Sequence, residues 1–109
     1  MNINPLIEKA FEEYKVPIQY MTYDGKSDSY LTYYTWHDKG ESFSDDDTEI
    51  DVAYGTIDIF SKSNFKKILE EVKEILKKNN FTVTDIASET YEEDTKLYHV
   101  PVNFCKEGE

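Results

Sequence analysis

The chain has 109 residues, enough for one domain, and its 39% hydrophobic content, with nine Tyr and six Phe, can fill a small core, which excludes full disorder. Its net charge of −11 repels nucleic-acid phosphates and anionic lipid headgroups, which argues against sequence-reading nucleic-acid binding. The single cysteine, Cys105, excludes an intramolecular disulfide. No apolar run approaches the roughly 18 residues of a membrane span, and the N-terminal residues do not show the basic and then apolar pattern of a signal peptide.

The first predicted element is a short amphipathic helix over residues 5–14. Asn4 is the expected N-cap, and Pro5 suits the first helical position because its missing N–H group needs no partner there. Apolar residues then recur at helical spacing up to Tyr14, and Val16-Pro17 is expected to end the helix.

Residues 16–36 are predicted to form a β-hairpin with a turn at Asp24-Gly25, because both residues tolerate a positive φ. Pro17 favours an edge position or a strand start. The return strand is expected from about Ser29 to Trp36, with large residues on both faces, so both faces are expected to be partly covered. One face holds Tyr30, Thr32, Tyr34 and Trp36, and the other holds Leu31, Tyr33 and Thr35.

The longest predicted loop spans about residues 37–48 and is acidic. A long strand is expected to follow it, with apolar residues in one phase up to Tyr54 and in the other phase from Ile57. Because Gly55 lies between these two runs, we expect a bulge or bend that swaps the faces of the strand.

The clearest helix is predicted over residues 61–79. Ser61 or Ser63 is the expected cap, and Asn79-Asn80 provides a left-handed stop. A continuous apolar stripe predicts that one side packs on a sheet. The stripe consists of Phe65, Ile68, Leu69, Val72, Ile75 and Leu76.

Two more strands are predicted: one from Phe81 with a break near Ala87, and one over residues 96–104 after a turn at 92–95. The element order α-β-β-β-α-β-β, with short connections, predicts one α+β domain over residues 1–109. We expect a mostly antiparallel, curved sheet of about four to five strands with one long and one short helix.

Metal binding is the first chemistry to consider, because four acids alternate from Asp45 to Asp51 as at the start of a calcium loop. The EF-hand loop also needs a glycine at its sixth position and a glutamate at its twelfth. Counted from Asp45, those positions hold Ile50 and Thr56. A solvated acidic loop is therefore favoured over a calcium site.

Catalytic fingerprints are missing from the sequence as well. His37, His99 and Cys105 share no zinc-ligand spacing, and no GxSxG motif, phosphate loop or dinucleotide fingerprint occurs. Cys105 lies close to the end of the sequence, which is a poor place for a preorganised nucleophile. The sequence therefore predicts neither an enzyme nor a bound cofactor.

The aromatic run over residues 30–36 has the composition of a stacking platform for single-stranded nucleic acid. Such platforms lie in basic grooves, whereas this run is surrounded by acids. Core packing and a protein interface, where Tyr and Trp are enriched, are the better interpretations.

Several short motifs, taken in order, resemble the tail-terminator proteins of siphophages, also called tail-to-head joining or tail-completion proteins. Asn80, before Phe81, stands where a glycine is expected, but it can serve as the same left-handed stop. The motifs are Val16-Pro17, YDG at 23–25, YLTYYTW at 30–36, Asp45-Asp46, IDIFS at 57–61 and, most tellingly, YEEDTKLYH at 91–99.

The resemblance implies a structural role without a reaction or a cofactor. Members of that family form a hexameric ring on the head-proximal end of the tail tube, stop tube growth and present a surface to the head connector. The expected partners are further copies of this chain, the tail-tube protein and the head connector or stopper protein, with DNA only as cargo passing through the lumen and no membrane. The expected location is the head-proximal end of the virion tail, after synthesis in the bacterial host cytoplasm.

With the resemblance added, two sets of interaction residues are predicted. The acidic loop is expected to face the lumen or a docking partner through Glu41, Phe43, Asp45, Asp46 and Asp47. The ring or partner interface is expected to include Tyr33, Trp36, Tyr91 and His99.

The charge alone supports a second hypothesis from another class. A net charge of −11 is also typical of a small acidic inhibitor that mimics DNA and binds a basic host protein. An acidic wall equally suits a DNA conduit, because attraction would arrest the passing polyanion. Composition does not separate these two hypotheses.

Overall fold

The computed structural model describes residues 2–38 and 52–107. In it, the segments with alternating apolar residues form a sheet, and the segments with helical apolar spacing form a second layer of helices. Two helices pack on one face of a six-stranded sheet. The elements are α1 (Asn4–Ala10), β1 (Ile18–Tyr20), β2 (Ser29–Asp38), β3 (Val52–Ser61), α2 (Phe65–Lys78), β4 (Thr82–Ile86), β5 (Thr90–Glu92) and β6 (Leu97–Glu107).

The strands lie in the order β1-β2-β3-β6-β4, and β5 pairs with β6 on the same edge as β4. All neighbours are antiparallel except β1 and β2. The predicted α+β class and the element order are confirmed. The predicted break near Ala87 separates β4 from β5, and the β4–β6 register also shifts between Val83 and Asp85.

The core lies between the helices and the sheet. Odd-numbered residues of β2 and β3 and even-numbered residues of β6 point into it, because strand side chains alternate between faces. The predicted stripe of the long helix is confirmed, since Ile68, Val72 and Leu76 are buried and the other three members pack against the core. From the remaining elements the core takes Ile3, Ile7, Phe11, Leu31, Tyr33, Ile57, Ile59, Phe81, Val100, Val102 and Phe104.

The predicted hairpin over residues 16–36 is wrong, because β1 runs parallel to β2. Ile18 pairs with Leu31, and the Leu31 N–H donates to the Pro17 carbonyl at 2.8 Å. Parallel neighbours need a connection that crosses back along the sheet, and residues 21–28 supply it. Asp24-Gly25 lies inside that connection, and the left-handed residue there is Met21, with φ of 66°.

A tyrosine holds this connection in place. The Tyr23 ring stacks on Tyr30 with 4.1 Å between centroids, and its hydroxyl accepts the Ser27 N–H at 2.9 Å. A Cβ at position 25 would lie 2.2 Å from the Tyr23 hydroxyl oxygen. Gly25 is therefore used to let the ring fold back, and not to make a hairpin turn.

The predicted bulge at Gly55 is also wrong. β3 pairs with β2 and β6 without a register shift from Val52 to Ser61. Gly55 stays on the core face, where an added Cβ would lie 2.5 Å from Cζ of Phe104 and 2.9 Å from the Tyr34 carbonyl oxygen. The apolar pattern seemed to change phase because Val52 and Tyr54 are large residues on the opposite face.

The first helix is shorter than predicted. It begins at Asn4 and ends at Ala10, and residues 11–13 form a turn. Asn4 does not cap it, because its Oδ1 accepts a hydrogen bond from the Thr35 hydroxyl at 2.6 Å. That bond ties the start of α1 to β2.

The long helix begins later than predicted, at Phe65, because Ser61 is the last residue of β3. The Ser61 hydroxyl accepts the Ser63 N–H at 3.2 Å and lies 2.9 Å from the Ser29 hydroxyl, so it belongs to the corner and not to a helix cap. The predicted left-handed stop is confirmed at Asn80, with φ of 67°. In the described ranges, neither helix has the length and apolar character to cross a membrane.

Replacing Leu76 with alanine should lower the free energy of unfolding by about 2–5 kcal/mol, because its side chain is fully buried. Leu6→Ala is the matched control, since Leu6 is 41% exposed, and it should cost less than about 1 kcal/mol. Urea unfolding followed by circular dichroism measures both. Equal costs would contradict the position of α2.

Gly55→Ala should destabilise the protein by about 1–3 kcal/mol, because the new methyl group overlaps the Phe104 ring. The overlap can be separated from strand propensity with a double-mutant cycle. In a Phe104→Leu background the same glycine replacement should cost less, with a coupling energy above about 0.5 kcal/mol. Additive costs in the cycle would refute the packing role of the glycine.

Candidate interaction surface

Both helices pack on the same side of the sheet, so the described residues leave its other side without a helix. We call this side the helix-free face. Even-numbered residues of β2 and β3 and odd-numbered residues of β6 point to it. It consists of Tyr30, Thr32, Tyr34, Trp36, Val52, Tyr54, Thr56, Asp58, Phe60, Leu97, His99, Pro101, Asn103, Cys105 and Glu107, with Thr82 and Asp85 from β4 and Thr90 and Glu92 from β5.

One end of the helix-free face carries a run of four stacked rings across three strands. Tyr23 lies on Tyr30 at 4.1 Å between centroids, Tyr30 on Phe60 at 4.9 Å, and Phe60 on His99 at 4.4 Å. Burial, with a smaller effect of the Glu92 carboxylate, raises the pKa of Tyr30. We call this set the histidine stack; it is half-buried and joins the 21–28 connection to β6.

The other end carries a second set, the tryptophan stack, made of Tyr34, Trp36 and Tyr54. The ring centroids are 5.8 Å apart for Tyr34 and Trp36 and 5.9 Å apart for Trp36 and Tyr54, with nearly parallel planes. Trp36 is 46% exposed and Tyr34 is 41% exposed. Large aromatic side chains with this exposure are typical of binding surfaces.

Polar side chains fill the space between the two stacks. Nε2 of His99 lies 2.8 Å from Oδ1 of Asp58, and both groups are largely shielded from solvent. One row away, the Thr56 hydroxyl donates to Asn103 at 2.6 Å, and the Asn103 amide donates to Asp85 at 3.4 Å. These bonds fix the polar groups of the central strands and leave the Asp85 carboxylate at the exposed end.

Charge is divided unevenly between the two layers. On the helix-free face the described strand residues that carry a formal charge at neutral pH are acids, namely Asp58, Asp85, Glu92 and Glu107. Five of the chain's twelve lysines lie in α2, and Lys106 packs over the Phe81 ring at 5.2 Å on the helix side. The helix-free face is therefore aromatic and acidic.

The four residues predicted for a ring or partner interface do not share one surface. Trp36 and His99 lie on the helix-free face, in different stacks. Tyr33 is 1% exposed in the core, where its hydroxyl donates to Glu8 at 2.6 Å. Tyr91 lies on the helix side, 5.0 Å from the Tyr98 ring and 47% exposed. Tyr33 therefore supports α1 from inside and presents no surface.

The loop residues predicted for the lumen or a docking partner lie outside the described ranges. They are Glu41, Phe43, Asp45, Asp46 and Asp47. The alternating acids weighed as a calcium loop lie in the same segment. Within residues 2–38 and 52–107, no group of three or more His, Cys, Asp or Glu side chains could hold a metal ion.

Sequence reasoning did not find the partners of the two stacks. Phe60 and Tyr54 complete them, and both belong to the even-numbered set of β3 that the sequence assigned to opposite sides of a bulge. The available signal was the alternation of rings in both strands. The alternation does not give the strand register, and it is the register that places Tyr30 beside Phe60 and Trp36 beside Tyr54 so that their rings stack.

A shallow cleft of about 370 Å³ beside α2 is lined by residues that include Tyr14, Glu71 and Glu74. The Tyr14 hydroxyl donates to Glu71 at 2.7 Å, and burial followed by this bond raises the pKa of Tyr14. The cleft lies on the helix side, away from both stacks. Its tyrosine is already paired, so the helix-free face remains the better candidate for function.

Comparison with known proteins assigns no family. No protein-family model matches the chain, and no curated protein sequence matches it. The surface therefore has to be interpreted from its own chemistry.

The buried tyrosines predict a loss of stability at alkaline pH. Burial, and then the bond to Glu8, raises the pKa of Tyr33 above the ordinary value of about 10. The unfolded chain therefore releases this proton first, so the contribution of Tyr33 is fully present below pH 10 and is lost as the pH rises above it. Unfolding free energies measured from about pH 9 to 11 should fall less steeply for Tyr33→Phe than for the wild type.

Tyr33→Phe should also cost about 1 kcal/mol at neutral pH through the lost hydrogen bond. Tyr14→Phe should flatten the alkaline slope for the same reason, and the double variant should be flattest. A Tyr33→Phe profile parallel to that of the wild type would show that this hydroxyl is not buried.

Proposed function

We propose that this chain is a phage structural protein that caps the tail tube as a ring, ends tail growth and joins the tail to the head connector. The observation that carries the proposal is the exposed aromatic surface of a small acidic α+β domain, above all Trp36 on the helix-free face. The sequence motifs resemble those of tail terminators, and this resemblance suggests the assembly, a ring on the tail tube, in which such a surface would make contacts.

A ring needs two different patches on each copy, because its interface repeats head to tail around an axis. The described residues offer exposed rings on opposite sides of the domain. The tryptophan stack lies on the helix-free face, and Tyr91 and Tyr98 lie on the helix side, where Tyr98 also contacts Phe65 at 5.4 Å. Exposed tyrosine and tryptophan lose little side-chain entropy on binding and dominate many interfaces.

The acidic balance supports the same role. A lumen that passes DNA benefits from walls that do not bind phosphate, and a net charge of −11 supplies repulsion. The proposal needs no reaction and no cofactor. In it the partners are further copies of the chain, the tail-tube protein and the head connector or stopper protein.

The acidic inhibitor remains the second candidate, and the net charge alone favours it. The two functions differ in their partner. A tagged chain that caps tails should recover phage structural proteins from infected cells. An inhibitor that mimics DNA should recover a basic DNA-binding protein from uninfected host lysate, and salt should release it.

Electron microscopy of tails assembled without the chain tests the proposal. We expect tails of irregular length that lack heads, because nothing stops tube growth or bridges to the connector. Adding back the wild type should restore tails of uniform length. Restoration should fail with Trp36→Ser, a change at an exposed side chain that should leave the circular dichroism spectrum unchanged. Uniform, head-joined tails in the absence of the chain would refute the function.

A further inference from the structure

The helix-free face combines two features that together select a ligand. Its exposed rings are electron-rich surfaces, and its charged described strand residues are carboxylates. Rings attract cations through their quadrupole, with tryptophan the strongest, and carboxylates attract the same cations through their charge. Because the ring faces and the carboxylates are both electrically negative, both disfavour a phosphate anion.

Within residues 2–38 and 52–107, the lysines do not occupy the exposed rings of this face. Lys106 makes a cation–π contact, but with Phe81 on the helix side. Lys62, next to the end of β3, is paired with Asp28 at 3.4 Å. Among the described lysines none is found over Tyr34 or Trp36, and both rings are more than 40% exposed.

We propose that the helix-free face binds an extended, arginine- or lysine-rich segment of a partner protein, with a cationic group over the tryptophan stack and others at Asp85 and Glu107. Arginine fits best, because its planar guanidinium stacks on rings and bonds carboxylates in a fixed geometry. The inference rests on this face alone, and it holds whether or not the chain caps a tail.

The dimensions of the face suit a short segment. Trp36 on β2 and Asp85 on β4 are separated by three strand spacings, because β3 and β6 lie between them. At about 4.8 Å per spacing the distance across the sheet is roughly 14 Å. An extended peptide rises about 3.3 Å per residue, so about five residues bridge the two sites. Thr56 and Asn103 lie in the row that joins Tyr34, the neighbour of Trp36 in the tryptophan stack, to Asp85. A segment along this row crosses their side chains, which are already held by hydrogen bonds.

Trp36 is the only tryptophan, so its fluorescence reports directly on this face. The test titrates the full chain with a peptide of alternating arginine and glycine, and with a peptide of the same length that alternates glutamate and glycine. The arginine peptide should change the Trp36 emission saturably, and the glutamate peptide should not. An emission that stays unchanged with the arginine peptide would overturn the proposal.

Variants then separate this site from general attraction to an acidic protein. Measured by calorimetry, Trp36→Leu should weaken binding of the arginine peptide on the order of two- to tenfold, because leucine keeps the apolar contact but has no ring. Asp85→Asn should weaken it up to about fivefold. Both residues are exposed, so both variants should fold, which circular dichroism verifies.

The matched controls lie on the helix side. Tyr91→Leu removes a ring of nearly the same exposure as Trp36, and Glu13→Gln removes an exposed carboxylate near α1. Neither should change the affinity. If Glu13→Gln weakens binding as much as Asp85→Asn does, or Trp36→Leu binds as well as the wild type, the attraction is non-specific and the proposal fails. A neutral oligosaccharide that saturates the Trp36 emission when the arginine peptide does not would assign the face to another ligand class.

Discussion

The uninterrupted pairing of β3 with β2 and β6 is the constraint on which the rest of the structure depends. Ten residues, from Val52 to Ser61, keep one register on both sides, so the period of two assigns every side chain to a face. A slip of one residue would send Ile57 and Ile59 to the helix-free face and Asp58 into the core. Gly55 makes this register possible, because it leaves the space that the Phe104 ring fills.

The helix-free face exists because the two described helices both pack on one side of the sheet. α1 contributes Ile7 and α2 contributes Val72 to the same core, so one side of the sheet receives both helices. Among the described residues, the other side is covered by its own side chains, and large rings suit this because each shields much sheet surface. Stacking across strands holds the rings in place, yet it leaves Trp36 nearly half exposed.

The sequence predicted those features that are set by interactions between residues close together in the chain. The apolar stripe of α2, its left-handed stop at Asn80 and the alternation in β6 were all readable, because each follows from periodicity or backbone preference. The parallel pairing of β1 was not readable, because it depends on how the 21–28 connection packs against Tyr30. Tyr33 was assigned to a surface for a similar reason: a strand with large residues on both faces does not say which face the helices will cover.

The acidic charge of the chain bears on both the proposed tail function and the proposed binding of a basic segment. In the proposed binding mode the carboxylates of this face and the ring of Trp36 each favour a cation over a phosphate, so repulsion of DNA and recognition of a basic protein segment would be one property of the surface. Solvent-exposed charges at Asp85 and Glu107 are screened within about 8 Å at physiological ionic strength, which limits their own contribution. Contact with the tryptophan stack is only weakly sensitive to salt. Specific binding should therefore persist at salt concentrations that remove simple charge attraction, and this separates a built site from an acidic surface.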